Sequence, residues 1–341
     1  MTMSTETSVP IVRVNELSIS LRADTASIPI TRKVSFHIER GEVLALVGES
    51  GSGKSVTALS LMQLLGANLN IESGEILLST GDGYSADIVR LGRKGKEIEA
   101  IRGARMGMIF QEPMSSFSPV HTIGAQIAEV VTVHEAVGRK AARARAAELL
   151  GKVGIPDPVG ALDRYPYEFS GGMRQRAMIA RALVCGPSLL IADEPTTALD
   201  VTIQSQILDL LRKLRDEMGM AILFITHDLG IVAQMADRVA IMYAGAIVET
   251  GAVREIFRKP SHPYTRALLE AVPRLGDLDE RRRINPIAGS MPNLFEPPSG
   301  CRFHPRCPVA VHPRCSGETP PTYGTGNRLV ECIHGEAEFA R

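Results

Sequence analysis

The stretch Gly48-Glu49-Ser50-Gly51-Ser52-Gly53-Lys54-Ser55 constrains this chain more than any other. It fits the P-loop pattern of Gly, any four residues, then Gly-Lys-Ser or Gly-Lys-Thr. Val43-Leu44-Ala45-Leu46-Val47 before it reads as a buried strand, and Ser55 to Leu65 after it as a helix with almost no polar face. A triphosphate needs such a junction. The glycines let the backbone bend tightly and turn its N–H groups onto phosphate oxygens, and the helix N-terminus adds partial positive charge. Lys54 is placed to reach the β- and γ-phosphates, and the Ser55 hydroxyl to hold Mg²⁺. A Gly/Ser-rich linker matching by chance would lack the strand and the helix. Gly48, Glu49, Ser50, Gly51, Ser52, Gly53, Lys54, Ser55 and the following Val56 are therefore the expected nucleotide-binding residues.

At 341 residues the chain has room for one large domain with an appendage, or for two domains. Its 38 basic and 38 acidic residues cancel, so no global charge points to nucleic acid or anionic lipid. The longest apolar run, Val239 to Val248, is interrupted by Gly245 and falls far short of the roughly 18 residues of a membrane span. Residues 1–10 lack the basic start and apolar core of a signal peptide, so the chain is expected to stay in the cytoplasm.

Residues 11–47 alternate in short bursts, as in an antiparallel sheet leading into the strand before the loop. A strand is expected at Met106 to Phe110, and helices from Pro113 to about Cys185. One of these, His134 to Val153, carries a basic face read as solvated. Further strands are expected at Ser188 to Asp193 and Met220 to Thr226. Helices from Val201 to Met218 and around Leu229 to Ala236, then paired strands around 238–250, close the core. Strands alternating with helices imply a mainly parallel sheet. After Arg254 the composition shifts to Pro, Arg and Cys, which marks a separate appendage.

The apolar run ending in Asp193-Glu194 has the form of a Walker B strand. Asp193 is expected to hold Mg²⁺ opposite Ser55, and Glu194 to polarise an attacking water. Phe169-Ser170-Gly171-Gly172-Met173-Arg174-Gln175-Arg176 is a second glycine-containing helix start. With it the chain resembles the ABC transporter ATPase family, whose signature is Ser-Gly-Gly followed by a polar helix. Gln111 resembles that family's Q-loop, Ala198-Leu199-Asp200 its D-loop, and His227 its switch histidine. The resemblance implies an α/β P-loop NTPase fold with a RecA-like core, an antiparallel β subdomain and a helical subdomain. It implies a head-to-tail dimer in which Ser170, Gly171 and Gly172 contact the γ-phosphate held by the other subunit, with Asp200 beside it. Glu194 corresponds to the general base, His227 contacts the γ-phosphate, and Gln111 joins Ser55 and Asp193 around Mg²⁺. Leu21 stands where relatives usually place an aromatic that stacks on adenine.

The chain is similar in particular to the ATPase subunits of dipeptide and oligopeptide importers. Phe110-Gln111-Glu112-Pro113-Met114, the run Ala192 to Thr202, Met242-Tyr243-Ala244-Gly245 and His262-Pro263-Tyr264-Thr265 carry that likeness. It implies an ATPase domain over 11–253, with its helical subdomain at about 113–185, and a C-terminal extension over 254–341. It implies work with a second ATPase subunit (a paralogue), two transmembrane permeases near Pro113 to Pro119, and indirectly an extracytoplasmic solute-binding protein. The place of action is the cytoplasmic face of the inner membrane, with no nucleic acid involved. Nickel and glutathione importers have similar ATPases, and a soluble repair or translation ATPase is the reading from another class. Such repair proteins insert a long coiled coil between loop and signature, and no sustained heptads occur here.

Four of the five cysteines fall near the end, as Cys301-x5-Cys307-x7-Cys315-x16-Cys332. Four thiolates are a ligand set for a [4Fe–4S] cluster or for Zn²⁺. His304, His312 and His334 keep zinc open, and resemblance to the importer extensions implies the cluster. Cys185 reads as a core residue.

Overall fold

The structure, a computed structural model, describes residues 9–23, 27–111, 116–197, 199–272, 287–293 and 295–335. The chain forms two compact units, each drawn from separate spans. One takes Arg13–His37, Val43–Ile76 and Thr226–Arg341; the other takes Met1–Val12, Ile38–Glu42 and Leu77–Ile225.

In the first unit, Val43–Val47 is buried along its whole length, as a continuous apolar run requires. It pairs in parallel with Arg238–Tyr243, from Arg238↔Leu44 to Ile241↔Val47. That strand turns back through Ala244 and Gly245, both left-handed, into Ala246–Ala252. Arg328–Glu331 and Thr322–Thr325 then extend the sheet antiparallel, with Glu249↔Val330 in register. This hairpin is not singled out by the sequence-based reading, which expects the prolines to prevent long regular elements; its two strands are four residues each. In a second, antiparallel sheet Val12–Arg22 is flanked by Ser27–Pro29, Val34–Ile38 and Leu69–Ser79, as the alternating bursts predict.

The core of this unit draws on both sides of residue 253. Ala45, Val47, Ile241, Tyr243 and Val248 from the sheet pack with Tyr264 and Phe303 of the extension. The rings of Tyr243, Tyr264 and Phe303 lie 4.6–5.4 Å apart, in tilted and edge-on arrangements favoured by their quadrupoles. The shift in composition after Arg254 thus marks a change of texture within one core.

In the second unit, Met106–Ile109, Leu189–Asp193 and Ala221–Thr226 form parallel neighbours, with Ile109↔Ala192 and Asp193↔Ile225 in register. The helix expected from His134 to Val153 is observed as Arg139–Lys152, and a separate helix, Ile123–His134, ends where the expected one begins. Ala142, Ala146, Leu149 and Leu150 bury one side of the latter. Its basic residues find local carboxylates, Arg143 on Asp163 at 2.5 Å and Arg145 on Glu135 at 2.6 Å. Gly171–Leu183 and Val201–Met218 complete the helices used below. Among the described residues, no helix is long and apolar enough to cross a membrane.

Candidate functional site

The glycine-rich loop lies between the buried strand Val43–Val47 and the helix Lys54–Leu61. Its shape depends on glycine in two ways. Gly51 and Gly53 have φ of 78° and 102°, in the left-handed region. A Cβ on Gly48 would lie 2.1 Å from the Met242 carbonyl oxygen, so the loop runs against the neighbouring strand with no room for a side chain. No side chain caps the helix at Gly53, which leaves first-turn N–H groups facing the loop. Lys54 is buried, and its Nζ donates to the carbonyls of Gly48 at 2.8 Å and Glu49 at 2.9 Å. Ser52 Oγ is buried without a hydrogen-bond partner among the described residues. An orphaned hydroxyl, a folded-in ammonium and an uncapped helix start form a cradle for a polyanion. Ser50 is exposed; Glu49, Ser55 and Val56 are half-buried. Leu21 is half-buried and pairs with Ile28.

In the second unit the strand Leu189–Asp193 delivers a buried Asp193 and then turns at Glu194, a non-glycine residue with φ of 45°. The Glu194 amide donates to the Ile225 carbonyl at 3.0 Å, which ties the turn to the adjoining strand. Its carboxylate is held from two sides. Gln111 Nε2 donates to Oε2 at 3.2 Å, and Thr197 Oγ1 donates to the same oxygen at 3.0 Å. The structure thus brings together Gln111 and Glu194, expected in different roles. Gln175, fully buried on the Gly171–Leu183 helix, donates through Nε2 to the Pro195 carbonyl and so holds the same turn.

Ser170 is exposed and caps the Gly171–Leu183 helix, accepting from the Met173 amide at 3.3 Å. A Cβ on Gly171 would meet nothing, and one on Gly172 would lie 3.3 Å from Ile203 Cγ2. The signature therefore sits beside the start of the Val201–Met218 helix. Asp200 caps that helix by accepting from the Ile203 amide at 2.9 Å. Ala198, and with it part of the D-loop, lies outside the described residues, as do Glu112, Pro113 and Met114 of the Q-loop and Ser115. In the first unit, His227 is exposed and precedes Asp228, which caps the helix Leu229–Met235.

The iron–sulfur expectation is corrected, and its zinc alternative with it. Among the described residues, no group of three or more His, Cys, Asp or Glu side chains is arranged to hold a metal ion. Cys301, Cys307, Cys315 and Cys332 are free thiols around a cavity of about 10 Å³, shared with His262, Phe303, His304 and His334. Burial pushes Cys301 up to about 11 and raises Cys307 and Cys332. The Cys315 sulfur accepts from the Val311 amide at 3.3 Å. The histidines are engaged too: His304 with the Cys301 carbonyl, His334 with that of Val309, and His312 with Ser316 Oγ. Cys185, read as core, is half-buried, and burial also raises it to about 11.

Residues 31–197 match the ABC transporter model, and residues 248–315 match that of the oligopeptide/dipeptide transporter C-terminal region. A Brucella melitensis ATP-binding protein named for peptide import is 51% identical over 317 residues, covering 92% of this chain and 93% of its own. The chain belongs to the ABC transporter family. The dipeptide transport ATP-binding protein DppD of Bacillus subtilis is 48% identical over 299 residues, with 87% of each chain covered. The fold is likewise similar to the dimeric ATP-binding cassette MJ0796 bound to ADP and Pi. There the TM-score is 0.62 at 26% identity, over 71% of this chain and 99% of that one. As an ABC transporter ATP-binding protein, the chain hydrolyses ATP to drive transport. Subunits of this kind dimerise and work with transmembrane permeases.

Four residues that sequence reasoning missed touch the candidate site residues or the turn that carries them. Thr197 and Gln175 hold the turn around Glu194, while Tyr264 and Arg306 contact Glu49. Tyr264 lies within the His262-Pro263-Tyr264-Thr265 motif, but nothing local signals its partner 215 residues away.

Proposed function

We propose that this chain is the ATPase subunit of an importer of dipeptides or oligopeptides. The observation that carries the substrate class is the match of residues 248–315 to the oligopeptide/dipeptide transporter C-terminal region. It lies outside the nucleotide-binding part common to all such ATPases. In this reading residues 11–253 are the ATPase domain, and 254–341 are an extension particular to these importers.

The residue roles follow the motifs. Gly48 to Val56 cradle the triphosphate, Lys54 neutralises its β- and γ-phosphates, and Ser55, Asp193 and Gln111 are the residues that would hold Mg²⁺. A hard cation suits that donor set of hydroxyl, carboxylate and amide; when bound, it would supply charge neutralisation to the phosphates. Glu194 takes the proton of the attacking water. Its carboxylate is oriented for that by Gln111 and Thr197. His227 contacts the γ-phosphate, while Ser170, Gly171, Gly172 and Asp200 serve the nucleotide of the opposite subunit. That subunit is a paralogue, and the assembly works at the cytoplasmic face of the membrane with a solute-binding protein on the other side. The exposure of Ser170 and Gly171 on a capped helix start supports the role across a dimer.

The test is ATP hydrolysis by the reconstituted complex of this chain, its partner ATPase and the permeases, with the solute-binding protein present. Stimulation on adding a mixture of two- to five-residue peptides, and not on adding Ni²⁺, supports the reading. Stimulation by Ni²⁺ alone would overturn the substrate class.

A further inference from the structure

Glu49, the second residue of the phosphate loop, is bound at three points. Its carbonyl accepts from Lys54 Nζ at 2.9 Å. Its amide donates to the Tyr264 hydroxyl at 3.1 Å, so that N–H is committed to the protein. Its carboxylate accepts from Arg306, at 3.0 Å to Oε1 and 3.3 Å to Oε2. Tyr264 and Arg306 both come from the C-terminal extension, within the same compact unit as the loop.

Neither partner is a loose surface contact. Tyr264 is fully buried among Tyr243 and Phe303. The Arg306 side chain is 4% exposed and that of Glu49 31%. The guanidinium also donates to the carbonyls of Ala288 at 2.8 Å and Ile287 at 3.4 Å, and to the Tyr243 hydroxyl at 3.4 Å. Its orientation is therefore fixed before any ligand arrives. A buried, fully engaged arginine aimed at one carboxylate is poised to cancel that charge.

The loop needs such cancellation. A carboxylate on a phosphate-binding loop repels the polyanion that the loop is built to hold. We infer that Arg306 and Tyr264 are positioning residues for the phosphate loop. Arg306 neutralises Glu49 so that the incoming triphosphate meets net positive charge, and Tyr264 pins the backbone at the point where Lys54 is folded in. This rests on the reading of Gly48 to Ser55 as the triphosphate site. It gives the extension a share in nucleotide affinity, without contact with nucleotide. The step it serves is binding, so its loss appears in KM and leaves kcat at saturating ATP nearly intact.

The experiment is calorimetric titration of the full-length chain with Mg·ATP, paired with steady-state hydrolysis and thermal unfolding of each variant. Arg306→Gln is expected to weaken ATP binding about tenfold, with kcat within about twofold of the parent. Adding Glu49→Gln to that variant removes the uncompensated charge and brings the affinity back to within about threefold of the parent. Tyr264→Phe raises KM and leaves kcat unchanged. Equal affinity in the parent and Arg306→Gln, or a double variant no better than the single, would overturn the inference while leaving the loop's role intact. If Arg306→Gln does not fold, Glu49→Gln alone decides, because ATP binding at least as tight as the parent's supports the charge argument and a tenfold loss overturns it. A parent chain that does not bind ATP would overturn the reading of the loop, and this inference with it.

Discussion

Gln111 donates through its side-chain nitrogen to Oε2 of Glu194 at 3.2 Å, and Thr197 donates to the same oxygen at 3.0 Å. One carboxylate oxygen is thus held by two neutral donors, which sets the orientation of the group. The arrangement fixes a carboxylate on a turn whose backbone is itself held in the left-handed region. Glu194→Gln keeps the shape and removes the carboxylate proposed as the base. Hydrolysis is expected to fall by roughly 10²–10⁴ while ATP binding persists. Phosphate release and equilibrium binding, measured on the same preparation, check both halves.

Thr197→Val removes one of the two donors and retains the β-branched shape. The carboxylate keeps its charge but gains rotational freedom, so kcat should fall severalfold, about the worth of one hydrogen bond, with KM unchanged. Thr197→Ser restores the donor and should recover most of the rate. A variant series in which valine and serine behave alike would remove Thr197 from the mechanism.

Gly48→Ala tests the close approach of the loop to the adjoining strand. The added Cβ would have to displace the Met242 carbonyl, now 2.1 Å from where it would sit. The carbonyl is backbone and the Cβ is fixed directly to the backbone at Gly48, so neither can rotate away. The expected result is loss of about 1–3 kcal/mol of stability together with loss of ATP binding. Denaturant unfolding and calorimetry give the two readings.

The parts of this molecule that were legible in the sequence are those whose chemistry is local. Gly51, Gly53 and Lys54 lie within one turn, and the strand ending at Asp193 announces itself by five consecutive buried residues. The helix Val201–Met218 was legible for the same reason, with apolar residues at helical spacing behind an aspartate cap. Tyr264 and Arg306 were not, because their partner Glu49 lies 215 and 257 residues away and tertiary packing alone selects it. The cysteines mark the opposite limit. Four thiols in one segment predict proximity, and the structure does gather them around one cavity. Ligation also needs deprotonated, convergent donors, and spacing carries no information on that. The hairpin Thr322–Thr325 with Arg328–Glu331 escaped notice because its strands are short and draw their order from the sheet edge they extend.

His262 gives the fold a pH dependence. Its imidazole is buried; Nδ1 accepts from the Tyr264 amide at 3.0 Å as the cap of the helix Pro263–Glu270. Burial, reinforced by Arg266, pushes it down to about 3 from an ordinary 6.5. The unfolded chain takes up a proton below about pH 6.5 that the folded chain refuses until about pH 3. This contribution to stability is therefore complete above pH 6.5 and is lost as pH falls, by at most about 1.4 kcal/mol per unit. Glu249, raised by burial, accepts from the amides of Ser261 and His262, and its titration runs the other way. The difference between parent and His262→Asn isolates the histidine, since asparagine also caps a helix. Unfolding between pH 5 and 7.5 should be steeper in pH for the parent, and parallel profiles would assign the slope elsewhere.

Phe303 is the keystone of the extension. It is 1% exposed, and its ring lies 5.1 Å from Tyr243, 5.4 Å from Tyr264 and 5.8 Å from His262. Phe303→Ala would leave a cavity bounded by those rings and by Cys301 and Cys307, and should cost about 3–5 kcal/mol. Tyr264 and Arg306 both lean on this cluster, so the damage should not stop at stability. Under conditions where the variant is still folded, its affinity for ATP should fall along with the loosened hold on Glu49. Phe303→Leu fills most of the space and should recover the greater part of both. A variant that loses stability yet binds ATP as tightly as the parent would mean that the extension braces the sheet and leaves the phosphate loop to itself.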